Sequence, residues 1–296
     1  MVKNRKAITL FITLAIIVAL LSLVAVVFSY LSEARLKAQD KSALIEATVI
    51  YADAKEVLSR LLGKNPTKGR LKNIYDIPLS VAQKKGDFRM LIACSPTHAA
   101  IPITWFSQKG GAQNQDRYNL ANMVFDDVVL KYDLKDPQKL KDLISQAIDS
   151  DYKIEFGVEG RLKNSKNYLS YNAFKNILNS YALQEDDSKV FKIAWENYFS
   201  FGEGYKAIDG DFLSSALVSK IFNIDEAIVK EDFKSGELKA FLRENGGDME
   251  LYNSKLFAKD PVVAMRCSIN YTFGKSSYNM SFKYTNGKVD SFEFIW

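Results

Sequence analysis

The sequence predicts an α+β protein: a very long N-terminal helix, a short run of strands, a helical block of about 120 residues, and a closing antiparallel meander. Three observations carry this. No glycine or proline occurs from Met1 to Leu62, the first being Gly63 and Pro66. Apolar residues recur at helical spacing through the middle of the chain, and from Val262 onward they alternate with period two. The 296 residues are 47% hydrophobic and 12% aromatic, which supports a real core and excludes a solvated, disordered chain. The net charge is +5, and Lys3, Arg5 and Lys6 supply three of it, so the remaining chain carries no electrostatic footprint for nucleic acid. One His and two Cys exclude His-rich metal sites, zinc ribbons and dense disulfide frameworks.

The first element follows from an apolar run. Residues 7–32 are 26 uncharged positions, which as a helix span roughly 39 Å, enough to cross a hydrocarbon core of about 30 Å. The basic residues precede the run, which predicts a cytoplasmic N-terminus and an outward-facing remainder. A cleaved secretory signal would have a shorter apolar stretch and a small-residue cleavage site; Ser32-Glu33-Ala34 is charged where that site would fall. Beyond the run, Ala43, Ala47, Ile50, Ala54, Val57 and Leu61 lie on one helical face. A single helix to Leu62 is therefore expected, half in lipid and half against a globular domain.

Gly63–Gly86 reads as a loop region rich in turn residues. Phe88–Ser95 and Ala100–Phe106 read as strands, the first with Phe88, Met90, Ile92 and Cys94 on one face. Gly110–Asp116 is a polar loop. Helices are predicted at Asn119–Lys131, Pro137–Ile148 (with Asp136 as N-cap), Tyr168–Tyr181, Ser188–Phe199, Asp211–Phe222, Asp225–Phe233 and Gly236–Glu244. Val262–Phe273, a strand through Tyr278–Tyr284, and a third through Phe292–Trp296 form the meander, with Asn286-Gly287 as a short hairpin turn. No GxSxG, HExxH, CxxC or P-loop motif accompanies these elements, so no enzyme is predicted.

A membrane-crossing N-terminal helix that continues as the spine of an α+β domain capped by a meander resembles the type IV pilins and pseudopilins. Within that group, the size and helical block resemble the protein K family, the large minor pseudopilins of bacterial type II secretion systems. Asn4-Arg5-Lys6-Ala7 followed by Ile8-Thr9-Leu10-Phe11 resembles a prepilin leader, with Ala7 where Gly is usual. Leu143–Asp151 resembles the family's acidic helix end, with Ala147 in place of Trp. Asn176–Tyr181 resembles the segment before a helical subdomain, and Tyr205–Asp211 stands in the place of the family's asparagine-rich entry to the next helix, with Asp for Asn. The resemblance implies a divergent member: a pilin-like long N-terminal helix packed on an antiparallel sheet, with a large inserted all-helical subdomain. The corresponding division is leader 1–7, spine 8–62, first part of the pilin-like domain 63–118, helical insertion 119–250 and closing meander 251–296.

The resemblance further implies cleavage between Ala7 and Ile8 by a prepilin peptidase, methylation of the new N-terminus, and a single-pass inner-membrane protein with its globular domain in the periplasm. Its partners would be other minor pseudopilins at a fibre tip, with no small-molecule substrate. The fifth mature position is Ile12 where most pilins carry Glu. In a fibre that Glu neutralises the buried amine of the subunit ahead, since an unpaired charge in an apolar core is very costly. A subunit with Ile12 is suited to a tip, where nothing lies ahead. A secretion machine and a related DNA-uptake apparatus both fit.

Five further residue sets carry expectations of their own. Cys94 and Cys267 fall on apolar strand faces in an oxidising compartment, and either a bridge or two buried thiols is consistent with that placement. Asp149, Asp151 and Glu155 offer oxygen ligands at short spacing, and the resemblance raises calcium as a cofactor, although the segment lacks a complete loop signature. Asp209 and Asp211 read as helix-capping carboxylates. His98, between Pro96 and Pro102, reads as a solvated loop residue. Tyr271, Tyr278, Phe282, Phe292 and Trp296 read as core aromatics.

Overall fold

A computed structural model of the chain describes residues 3–82, 89–107, 114–149, 168–273 and 276–295. It divides into two compact units, Met1–Arg60 and Leu61–Trp296. The first is dominated by helix α1 (Lys3–Leu62), which is unbroken as the absence of Gly and Pro predicts. Within the apolar run, Ser22 Oγ donates to the Val18 carbonyl at 2.8 Å, so its hydroxyl is satisfied inside the helix. Glu56 and Arg60 form an i,i+4 ion pair near the other end. Gly63 ends the helix at φ +66°, and Arg70 Nη1 donates to the orphan carbonyl of Leu62 at 3.0 Å.

The expected loop over Gly63–Gly86 is corrected in part. It contains helix α2 (Lys68–Asp76), capped by Thr67, and strand β1 (Leu79–Ala82). Leu71 and Ile74 are spaced three apart, which suffices to bury one side of so short a helix once it lies against the sheet. β2 (Arg89–Pro96) follows. The second expected strand is also corrected: β3 is only Ile101–Pro102, and Ile103–Phe106 turns into a 3₁₀ helix.

The chain then builds a helical insert. α3 (Gln115–Lys131), α4 (Pro137–Asp149), the short strand β4 (Tyr168–Leu169) and α5 (Tyr171–Glu185) come first. Asp136 caps α4 as predicted, its Oδ1 accepting from Lys139 N–H at 2.9 Å. The helix expected over Ser188–Phe199 does not form. Two 3₁₀ turns, Ser188–Lys192 and Trp195–Asn197, lead into β5 (Phe199–Ser200) and β6 (Gly202–Glu203). A 3₁₀ turn at Gly210–Phe212 then precedes α6 (Ser215–Phe222), α7 (Glu226–Asp232) and α8 (Leu238–Glu244). α6 therefore starts four residues later than the expected helix from Asp211, because Ser214 caps it by accepting from Leu217 N–H at 3.1 Å.

β7 (Ala264–Phe273), β8 (Ser276–Thr285) and β9 (Lys288–Ile295) close the chain. Asn286 and Gly287 both take positive φ, which is the hairpin geometry their sequence predicts. The five-stranded sheet has the order β1-β2-β7-β8-β9, and every neighbouring pair is antiparallel. Met90, Ile92, Ile269, Tyr271, Met280 and Phe282 are all buried on one face. A second apolar cluster lies within the insert, running in sequence from Ile101 to Phe257 around Phe106, Phe125, Phe174, Tyr181, Trp195 and Phe199. The fold is α+β: a sheet whose second and third strands are separated in sequence by a helical body with its own core.

Candidate functional site

Ala7, Ile8 and Ile12 all lie within α1. The same helix contains Ile16–Ala34, a stretch long and apolar enough to cross a membrane by length and composition.

The strand register decides what the two cysteines can do. Cys94 on β2 stands directly opposite Cys267 on β7, with Cα atoms 4.0 Å apart, and the structure joins them in a disulfide. Both lie on the buried face of the sheet. Of the acidic segment proposed for calcium, Asp149 ends α4 and accepts from Ser107 Oγ at 2.5 Å; Asp151 and Glu155 lie outside the described residues. Among the described residues, no three His, Cys, Asp or Glu side chains are placed together to hold a metal. Tyr271 and Phe282 are core residues, and Tyr271 stacks on Tyr278 with centroids 5.0 Å apart. The side chains of Phe292 and Trp296 lie outside the description.

The principal polar constellation forms where the insert joins the sheet. Past the end of β2, Thr97 N–H donates to the Ala264 carbonyl at 3.0 Å, closing a neck between the outgoing and returning chains. Asp209 spans it. Its N–H donates to the His98 carbonyl at 2.7 Å, and its Oδ2 accepts from Val262 N–H at 3.4 Å. Its Oδ1 accepts from Asp211 N–H at 3.3 Å, so the capping role read from the sequence holds. Asp211 in turn pairs with Lys68 of α2, and its Oδ1 accepts from Leu238 N–H at 3.3 Å, at the start of α8. Asp209 is 6% exposed and Asp211 4%. Gly210 between them has no room for a side chain, since a Cβ would lie 2.8 Å from Leu238 Cδ2 and 3.0 Å from Phe257 Cδ1.

The electrostatics follow from two buried carboxylates and one partly exposed cation. Burial, then the adjacent Asp211 charge, push the Asp209 carboxyl up to about 6, against its two N–H donors and Lys68. Burial alone would lower the Lys68 ammonium, but its hydrogen bond and charge pairing with Asp211 leave it raised. Tyr75 of α2 is pushed up by burial and then by Asp209, and its hydroxyl finds no hydrogen-bond partner among the described residues. His98 corrects the expectation of a solvated loop residue. Its ring stacks on Tyr205 at 3.9 Å, and burial, with Lys283 adding to it, lowers it to about 4, so it is neutral at pH 7.

One buried carboxylate escaped sequence reading. Asp187, 2% exposed, sits between α5 and the turn that replaced the expected helix. Its Oδ2 accepts from Lys135 N–H at 2.8 Å and its Oδ1 from Lys189 N–H at 3.1 Å. Burial disfavours its charge, yet these two donors outweigh that and hold the carboxyl below its ordinary range. The signal available was Asp186-Asp187-Ser188 after a helical run, which marks a turn but gives no hint of burial.

No protein-family model matches the chain, and no curated protein matches it in sequence. Its structure is similar to a chain of the crystal structure of the GspK-GspI-GspJ complex from the enterotoxigenic Escherichia coli type 2 secretion system. The likeness has a TM-score of 0.57 at 11% identity, and covers 89% of this chain and 98% of that one. With a long N-terminal helix ahead of an α+β body, the chain has a pseudopilin-like fold.

Proposed function

We propose that this protein is a minor pseudopilin that caps or initiates a periplasmic pilus-like fibre of a type II secretion machine or a related DNA-uptake machine. The observation that carries the reading is a pseudopilin-like fold that extends over almost the whole chain, helical insert included, behind an unbroken apolar helix. The role is structural and non-enzymatic. A prepilin peptidase cuts between Ala7 and Ile8, the new N-terminus is methylated, and the helix passes from the inner membrane into a bundle with other minor pseudopilins. Ile12 supports a tip position, because it offers no carboxylate to a buried amine ahead of it. Calcium, where it binds, would draw oxygens from Asp149, Asp151 and Glu155.

N-terminal sequencing of the protein from its native membrane tests processing. A mature chain beginning at Ile8 supports the reading; one beginning at Met1 favours the alternative, a single-pass membrane-anchored scaffold that never enters a fibre. Cysteine crosslinking along α1 tests position. Capture of one copy per fibre, at its end, is expected, and capture of many copies along its length rejects the tip role.

A further inference from the structure

The helical insert and the sheet each bury apolar residues of their own, and the side chains of Lys68, Asp209 and Asp211 meet beside the backbone bonds that join them at the neck. Asp209 engages the outgoing chain at His98 and the returning chain at Val262; Asp211 engages α2 through Lys68 and α8 through Leu238. These contacts draw together elements that are distant in sequence. One flanking contact completes the joint: Tyr75 of α2 meets Phe212 edge to face with centroids 4.8 Å apart. The titratable groups facing Asp209 are Lys68 and Tyr75 of α2, Tyr205 and Asp211 of the insert, and Tyr252 of the returning chain. His98, on the outgoing chain, faces Tyr205 and Lys283 of β8.

We propose that Lys68, Asp211 and Asp209 form a latch that fixes the helical insert to the sheet, and that breaking it lets the folded insert move on its neck, while the Cys94–Cys267 bridge keeps the sheet closed behind it. The inference is independent of any fibre. One partly exposed ammonium faces two buried carboxylates, so loss of Lys68 leaves Asp209 and Asp211 with only their backbone N–H donors against two like charges. Asp211 also ties two segments of the insert together through Leu238, so its pairing with Lys68 is what reaches α2.

Protonation gives the latch a signature that a merely structural contact lacks. Closing the neck raises the proton affinity of Asp209, so acidification from pH 6 towards 4 favours the closed state through this group. Closing lowers the affinity of His98, so acidification from pH 6.5 towards 4 favours the open state through that one. The two responses oppose each other, and the native neck is buffered against acid.

Hydrogen exchange on the full-length chain in detergent, corrected for intrinsic rates, tests the latch. In Lys68→Met, the amides of Asp209 and Val262, which bond across the neck, are expected to exchange about tenfold faster, while amides of α3, α5, α8, β7 and β8 keep their rates. Lys68→Arg should retain most of the protection. In His98→Gln, neck opening should fall between pH 6.5 and 4.5, because the Asp209 response is no longer opposed. Unchanged neck exchange in Lys68→Met, or acceleration spread equally through α3, α5 and the sheet, overturns the latch. A flat or rising opening in His98→Gln overturns the part assigned to Asp209.

Discussion

In the sheet, β2, β7 and β8 pair over eight to ten residues at a time, and a disulfide fastens β2 to β7. In the insert, the described strands are two residues long, and rings from separate segments meet instead. Phe125 lies 5.5 Å from Phe106 and 5.8 Å from Trp195, which in turn meets Phe174 at 5.5 Å. The sheet is thus ordered by directional backbone bonds that tolerate side-chain variation on the solvent face. The insert depends on close packing of a few large side chains, with buried carboxylates fixing the turns between them. The two regions therefore should respond to different perturbations.

The sharpest test of that difference is Phe125→Ala. Removing a fully buried ring should cost the insert about 3–5 kcal/mol. Exchange protection in α3 and α5 should fall, with that of β7 and β8 largely retained. Equal loss in both would show one cooperative unit. Next, replacing both cysteines with serine should cost about 2–5 kcal/mol, read as a lower denaturation midpoint. Here the strands should lose protection first.

Asp187→Asn should cost about 1–3 kcal/mol, since one of two buried backbone donors then faces an amide N–H₂ instead of an oxygen. The loss should also depend on pH. Because the folded protein holds the Asp187 carboxyl below its ordinary value of 3.8, its contribution is complete above that value and disappears as pH falls through the folded one. The stability gap between wild type and Asp187→Asn should accordingly narrow in acid. A gap constant down to pH 2 would contradict the assignment. Last, Lys220→Ala and Lys255→Ala remove ion pairs to Asp127 and Asp116 on the surface, and each should change stability by less than about 0.5 kcal/mol.

What the sequence made legible follows the same divide. α1, α4 and the meander were readable because their determinants are local: no breakers to Leu62, Asp136 before Pro137, alternation through Cys267, Ile269 and Tyr271, and Asn286-Gly287. The segment from Ser188 to Phe199 was not, because its helical spacing is overridden by Asp187 and by Trp195, whose indole N–H donates to the buried Val190 carbonyl at 3.0 Å. α2 and β1 were missed for want of length; α2 packs on β2 and β1 pairs with it, and both are tertiary contacts. Asp209 and Asp211 were legible as caps, but their burial, their shared cation Lys68 some 140 residues away in sequence, and their place between His98 and Val262 are tertiary facts. Cys94 and Cys267 stood between: the faces were readable and the register was not.

That register also sets the order of manufacture. Cys94 of β2 finds Cys267 of β7 across a sequence separation of 173 residues, so during synthesis the first two strands of the sheet emerge long before β7 exists to pair with them. Until then β2 presents a bare backbone edge, open to mispairing with other chains. The insert, whose core residues are all encoded between the two cysteines, can condense in the interval and bring β7 home. The bridge can close only once β7 lies in register beside β2.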